Sequence, residues 1–170
     1  KIIVLIAAIC SMEFVQAQFS SATLVASGLT CSMCSKAVYK ALTGVPSVES
    51  VTSNIKESSY QITFKKDTPV DFDAIRKAVE DAGFSVAKMQ VAALFNNTEV
   101  SNDTHIVLGS QNLHFLNVPP ETLNGPVFLT LVDKKFTPDK EYKKYMKSTT
   151  MKYLTTGLME SCGTDSTTAK

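Results

Sequence analysis

The stretch Gly28-Leu29-Thr30-Cys31-Ser32-Met33-Cys34 follows Thr23-Leu24-Val25-Ala26-Ser27, which reads as a strand, and precedes a helical run that starts near Ser35. In that run Ala37, Val38, Ala41 and Leu42 recur at helical spacing. Two thiols two residues apart therefore fall where a strand hands over to a helix. Such a pair forms either a soft-metal site or a redox couple.

Working outward, Gly44 and Pro46 stop the first helix. Residues 48–55 and 60–65 then alternate apolar with polar side chains, and the polar Lys56-Glu57-Ser58-Ser59 between them suits a hairpin loop. Asp71 is expected to cap a second helix, whose apolar stripe is Phe72, Ile75, Ala78, Val79 and Ala82. Gly83 supplies the left-handed residue that closes it, and residues 84–90 form a last strand. The order βαββαβ predicts an α+β fold, a ferredoxin-like sandwich with two helices on one face of a four-stranded antiparallel sheet.

Residues 92–103, rich in Asn, Ser and Asp, read as a linker, and residues 104–160 as a small β-rich second domain whose role the sequence does not disclose. Its expected strands are 105–108, 112–118, 127–132 and 151–156, with turns at Gly109-Ser110 and at 119–126, and a short helix over 138–147. Residues 161–170 form a polar tail.

The first 17 residues read as a signal peptide. Lys1 supplies the positive charge, residues 2–9 the apolar run, and Val15-Gln16-Ala17 the cleavage site. Lipidation at Cys10 is the weaker alternative, because the bulky Ile9 precedes it. Nothing later approaches the roughly 20 apolar residues of a membrane span. The mature chain is therefore expected to be exported, periplasmic or secreted, with no membrane span. A net charge of +1 offers no electrostatic case for nucleic acid or an anionic membrane surface. Cleavage leaves Cys31, Cys34 and Cys162, an odd set for a disulfide framework, so the close pair points to chemistry.

A thiolate is the metal-binding form of cysteine, and a helix N-terminus favours it. Two thiolates with no His or carboxylate beside them suit Cu(I) better than harder ions. Zinc ordinarily takes four ligands. Hg(II) also accepts two thiolates, and Cu(I) and Hg(II) are not separated by the residues. The rival reading is a thiol-disulfide oxidoreductase using the same pair. A thioredoxin-like site is expected to carry an aromatic residue before the first Cys, where this chain has Thr30, and the chain has no Trp. An inert Cys31–Cys34 bridge would constrain little of the chain.

The loop Gly28 to Cys34, together with Glu80-Asp81-Ala82-Gly83-Phe84 ahead of the last strand, resembles the heavy-metal-associated domain of copper chaperones and copper-transporting ATPases, over about residues 21–91. The resemblance implies a metal-binding and transfer protein rather than an enzyme. It implies Cys31 and Cys34 as ligands, with Gly28, Thr30, Ser32, Met33 and Phe84 supporting the loop. The cargo it implies is Cu(I), with Hg(II), as in periplasmic mercury-binding proteins, or Zn(II) as alternatives. The implied partner is a metal donor or acceptor with a CxxC or a Met/Cys site, such as a copper-transporting ATPase. Leu29 departs from the family's usual Met, an apolar exchange of similar size. Phe84 stands where related domains place a residue facing the metal loop, and core packing explains it as well. In the second half His105, His114, Met151, Met159 and Cys162 are copper-compatible ligand types and a candidate second metal site. Their spacing matches no local motif, and strand or core roles account for them too.

Overall fold

The first strand, β1 (Phe19–Ser27), begins earlier than the sequence suggests and buries Phe19, Ala22, Leu24 and Ala26 on one face. It lies between β3 (Ser59–Phe64) and β4 (Ser85–Val100), antiparallel to both. β2 (Val48–Asn54) pairs with β3 at the outer edge. The computed structural model describes residues 19–149, so the expected signal peptide, the strand at 151–156, the polar tail, and Met151, Met159 and Cys162 lie outside the described residues.

Two helices cover one face of this sheet. α1 (Ser32–Thr43) buries Ser35, Val38 and Leu42, one side chain per turn, while Ala37 faces outward. α2 (Phe72–Asp81) buries Phe72, Ile75 and Val79 at the same spacing. Asp71 caps α2 as expected, its Oδ1 accepting from the Ala74 N–H at 3.0 Å. At the other end Gly83, at φ +89°, lets its own N–H reach the Glu80 carbonyl and the Phe84 N–H reach the Val79 carbonyl. These paired bonds satisfy the last carbonyls of the helix and turn the chain back into β4. Leu24, Val38, Leu42, Tyr60, Ile62, Ile75, Val79, Met89 and Val91 are the fully buried centre of the layer. At about 1.5–3 kcal/mol for each fully buried Val, Leu, Ile or Met, burial of this set is the main force holding the helices to the sheet.

The second half differs from expectation. β4 does not end at Gln90. It runs for 16 residues in all, to Val100, through most of the stretch read as a linker. Asn96 and Asn97 are exposed at a register shift between Phe95 and Thr98, and Asn97 sits at φ +43°. Polar side chains at a bulge imitate a loop while the ladder resumes beyond them. The residues expected as a turn at 119–126 belong largely to β7 (Glu121–Thr130), which pairs along β4 from Gln90↔Thr130 to Val100↔Glu121. Pro126 is tolerated there because β7 is an edge strand and needs ladder bonds on one side only. Among the described residues the sheet therefore has five strands, in the order β2-β3-β1-β4-β7.

Beyond β4, β5 (His105–Leu108) and β6 (Gln111–His114) form a hairpin about the expected Gly109-Ser110 turn. β6 stops at His114, short of the expected Val118. α3 (Asp139–Tyr145) lies within the expected helix. Phe95, Val100, Leu108, Phe115, Leu123 and Phe136 join the same buried cluster as Leu24 and Ile75. Within the described residues β7 joins the first sheet, β5 and β6 form a two-stranded sheet of their own, and the buried side chains of both halves share one core cluster. No helix among the described residues is long and apolar enough to cross a membrane.

Candidate metal centre

The loop leaving β1 turns at Gly28, whose φ of +85° is a conformation that other side chains adopt only with strain. A Cβ there would lie 3.8 Å from Cδ1 of Phe84, so the aromatic ring sits directly against the loop. Phe84 also packs on the core, as does Leu29. The loop is consequently anchored from below at two points, while Thr30, Cys31, Ser32 and Met33 face outward.

Cys31 is the N-cap of α1, with extended φ and ψ of −153° and 161°. Its Sγ accepts the Cys34 N–H at 3.2 Å, and its carbonyl accepts the Ser35 N–H at 3.2 Å. The sulfur thus takes the place of the oxygen that a Ser or Asp cap offers to the unpaired N–H groups. α1 consequently starts at Ser32, three residues before the helical run expected from Ser35. Thr30 Oγ1 lies 4.0 Å from Cys34 Sγ.

The Cys34 thiol is held below its ordinary value. The hydrogen bond with the Cys31 side chain is the main cause, the Thr30 backbone adds to it, and burial opposes it. No acidic residue lies in the first turn of α1 to counter this effect. Both cysteines are free, Cys31 exposed and Cys34 partly so. Met33 is 71 % exposed, an apolar side chain presented to solvent between the two thiols.

Ser35 and Tyr60 also shape the site, although neither stands out in the sequence. The Tyr60 hydroxyl, fully buried on β3, donates to the Ser35 carbonyl at 3.2 Å and lies 3.0 Å from Ser35 Oγ. This bond ties the first turn of α1 to the sheet. The signal was available: Tyr60 is in phase with Ile62 and Phe64, and a buried phenol needs a partner.

His105 and His114 meet elsewhere, directly opposite each other on β5 and β6. His114 Nδ1 lies 2.8 Å from His105 Nε2, and His114 Nε2 lies 2.9 Å from Asp103 Oδ1. Asp103 was not singled out from the sequence. No group of three or more His, Cys, Asp or Glu side chains suited to a metal occurs among the described residues.

One cysteine thus caps the helix that follows β1, and the other lies in its first turn. Residues 23–85 match the heavy-metal-associated domain. Copper-transporting ATPase 1 of Rhizobium meliloti is 31 % identical over 111 residues, covering 65 % of this chain and 13 % of that protein. A probable copper-exporting P-type ATPase of Archaeoglobus fulgidus is 33 % identical over 70 residues, covering 41 % of this chain and 9 % of that protein. The chain thus spans about a tenth of the length of these relatives. Among solved structures, a CopZ metallochaperone is 28 % identical and covers 40 % of this chain and 100 % of that one, with a TM-score of 0.37. The match to the heavy-metal-associated domain ends where β4 begins, so the rest of β4, the β5–β6 hairpin, β7 and α3 lie beyond it.

Proposed function

We propose that this chain binds Cu(I) between Cys31 and Cys34 and hands it to a partner that offers a CxxC or Met/Cys acceptor, such as a copper-transporting ATPase, in an exported setting. The observation that carries the proposal is the placement of two free thiols across the cap of α1, one exposed and the other partly exposed and held toward its thiolate form.

The donor set fits the ion. Two soft sulfurs meet the preference of Cu(I), and the loop supplies no carboxylate or imidazole to make a harder site. Anchorage by Gly28, Leu29, Phe84 and the Ser35–Tyr60 bond keeps the first turn in place while the sulfurs stay open to solvent. An incoming thiolate can then approach the bound ion from outside. The ion passes through a three-coordinate intermediate and never enters water as a free species. Exposed Met33 lies where such a partner makes contact, and a small transient interface suffices.

Competition with a Cu(I) chelator under anaerobic conditions tests the reading. One ion is expected per reduced chain, and Cys31→Ser or Cys34→Ser is expected to lower its affinity at least a hundredfold. Unchanged affinity in both variants overturns the site. Stronger retention of Hg(II) or Zn(II) than of Cu(I) against matched chelators overturns the choice of cargo.

A further inference from the structure

We infer that Tyr60 and Ser35 are positioning residues for the metal site: they keep the first turn of α1 formed while the two sulfurs are engaged by an ion. The inference rests on the reading of Cys31 and Cys34 as ligands, and it gives a role to a buried polar pair outside the thiol loop. α1 directs Ser35, Val38 and Leu42 into the core, so its inward line carries a hydroxyl where an apolar side chain would continue the stripe. Ser35 is 4 % exposed and Tyr60 is fully buried, so each needs the other. The phenol has a single proton, which goes to the Ser35 carbonyl at 3.2 Å. The 3.0 Å contact between the two hydroxyl oxygens is therefore made by the serine proton, with the phenolic oxygen accepting. Ser35 is thus held through both its backbone and its side chain. Apolar packing of Val38 and Leu42 is non-directional, whereas these two bonds fix the rotation and the height of the helix at its first turn. At about 100° per residue, a slip by one position would carry Cys34 into the core and Ser35 out of it.

The pair also closes a circuit. Tyr60 lies on β3 opposite Leu24 of β1, and β1 runs directly into Gly28 and the thiol loop. The chain leaves the sheet at β1, passes both cysteines, and is tied back through Ser35 to the residue that faces the strand it left. Nearer the loop, the Ala26 N–H donates to the Ser58 carbonyl at 3.0 Å and secures the same strand.

The cap shows why such a tie matters for metal binding. In the metal-free chain Cys31 Sγ accepts the Cys34 N–H and holds the first turn. An ion draws on the lone pairs of that same sulfur, so the cap weakens as the site fills. Bonds from the ion to both sulfurs fix side chains and leave the peptide groups at the helix end free to fray. The Ser35–Tyr60 bonds involve no sulfur and persist. They keep Cys34 in a formed turn, at the same place relative to Cys31, whether or not the cap bond is made.

The test uses the full chain. Tyr60→Phe retains the ring and its packing and is expected to weaken Cu(I) binding about tenfold in anaerobic chelator competition. The double variant Ser35→Ala with Tyr60→Phe leaves no hydroxyl of the pair unsatisfied, so its urea midpoint is expected to return toward that of the parent. Its affinity is expected to stay about tenfold low. Recovery of affinity together with stability would reduce the pair to a structural one and overturn the inference. A second arm needs no metal. In Cys31→Ala the sulfur cap is gone, and the Ser35 N–H, which donates to the residue 31 carbonyl at 3.2 Å in the parent, reports opening of the first turn by hydrogen exchange. Adding Tyr60→Phe to Cys31→Ala is expected to speed that exchange about tenfold. Unchanged exchange overturns the positioning role whatever the cargo. Faster exchange in a chain whose parent takes up no Cu(I) supports the hold on the turn and places the failure in the reading of the cargo.

Discussion

The thiol loop and the histidine hairpin hold their donor atoms in opposite ways. At Cys31 and Cys34 the polar groups of the backbone point at the sulfurs, one exposed and one partly so, and the anchors lie underneath in Leu29, Phe84 and Tyr60. At His105 and His114 the donors are already bonded to each other and to Asp103, and the His114 side chain is only 9 % exposed. The first arrangement leaves its ligands available to a partner and stabilises the fold only through a cap. The second makes its histidines part of the fold. An ion that must be passed on belongs with the first, whereas the second is a structural hydrogen-bond chain.

The largest expected effect on folding therefore comes from the hairpin. Asp103→Ala leaves His114 Nε2 and Thr149 Oγ1 without this acceptor and is expected to cost about 1–3 kcal/mol in urea unfolding. A change below about 0.5 kcal/mol would mean that the chain of bonds does not stabilise the fold. A smaller effect should appear on acidification. Folded His105 binds its second proton below the ordinary value of 6.5, so the unfolded chain takes up that proton first. Its contribution to stability is complete above about pH 6.5, declines as pH falls from there toward the folded value, and declines no further below it. Urea midpoints measured across this range should show that loss in the parent and not in His105→Gln. The smallest effect belongs to the thiol loop. Cys31→Ser keeps an N-cap acceptor, so its unfolding free energy should stay within about 0.5 kcal/mol of the parent, whereas Cys31→Ala should lose about 0.5–2 kcal/mol. Equal losses in both variants would show that the cap bond contributes nothing.

The same contrast explains what could be read in advance. The thiol loop is local: two cysteines, a preceding strand and a following helix are visible within a dozen residues, and Asp71 and Gly83 mark the second helix by side-chain and backbone chemistry alone. The Ser35–Tyr60 bond escaped notice because its partners are 25 residues apart and meet only when α1 lies on the sheet. The histidine pair depends on hairpin register. The Gly109-Ser110 turn was recognised, yet placing His105 against His114 requires counting outward from it. β4 and β7 differ from expectation for another reason. Asn96 and Asn97 at a bulge and Gly125-Pro126 on an edge strand carry the composition of loops, although the first sits in a resumed ladder and the second on the rim of the sheet. Local chemistry marks turns well, but it does not show when a sheet edge or a bulge has accommodated the same residues.

The central claim is that the copper ligands are two sulfurs and nothing else. X-ray absorption of the full chain loaded anaerobically with one equivalent of Cu(I) addresses it directly. The account predicts two sulfur neighbours, no nitrogen neighbour, and loss of this signature in Cys31→Ser and in Cys34→Ser. A first shell containing nitrogen, or two sulfurs that persist in either variant, would contradict it.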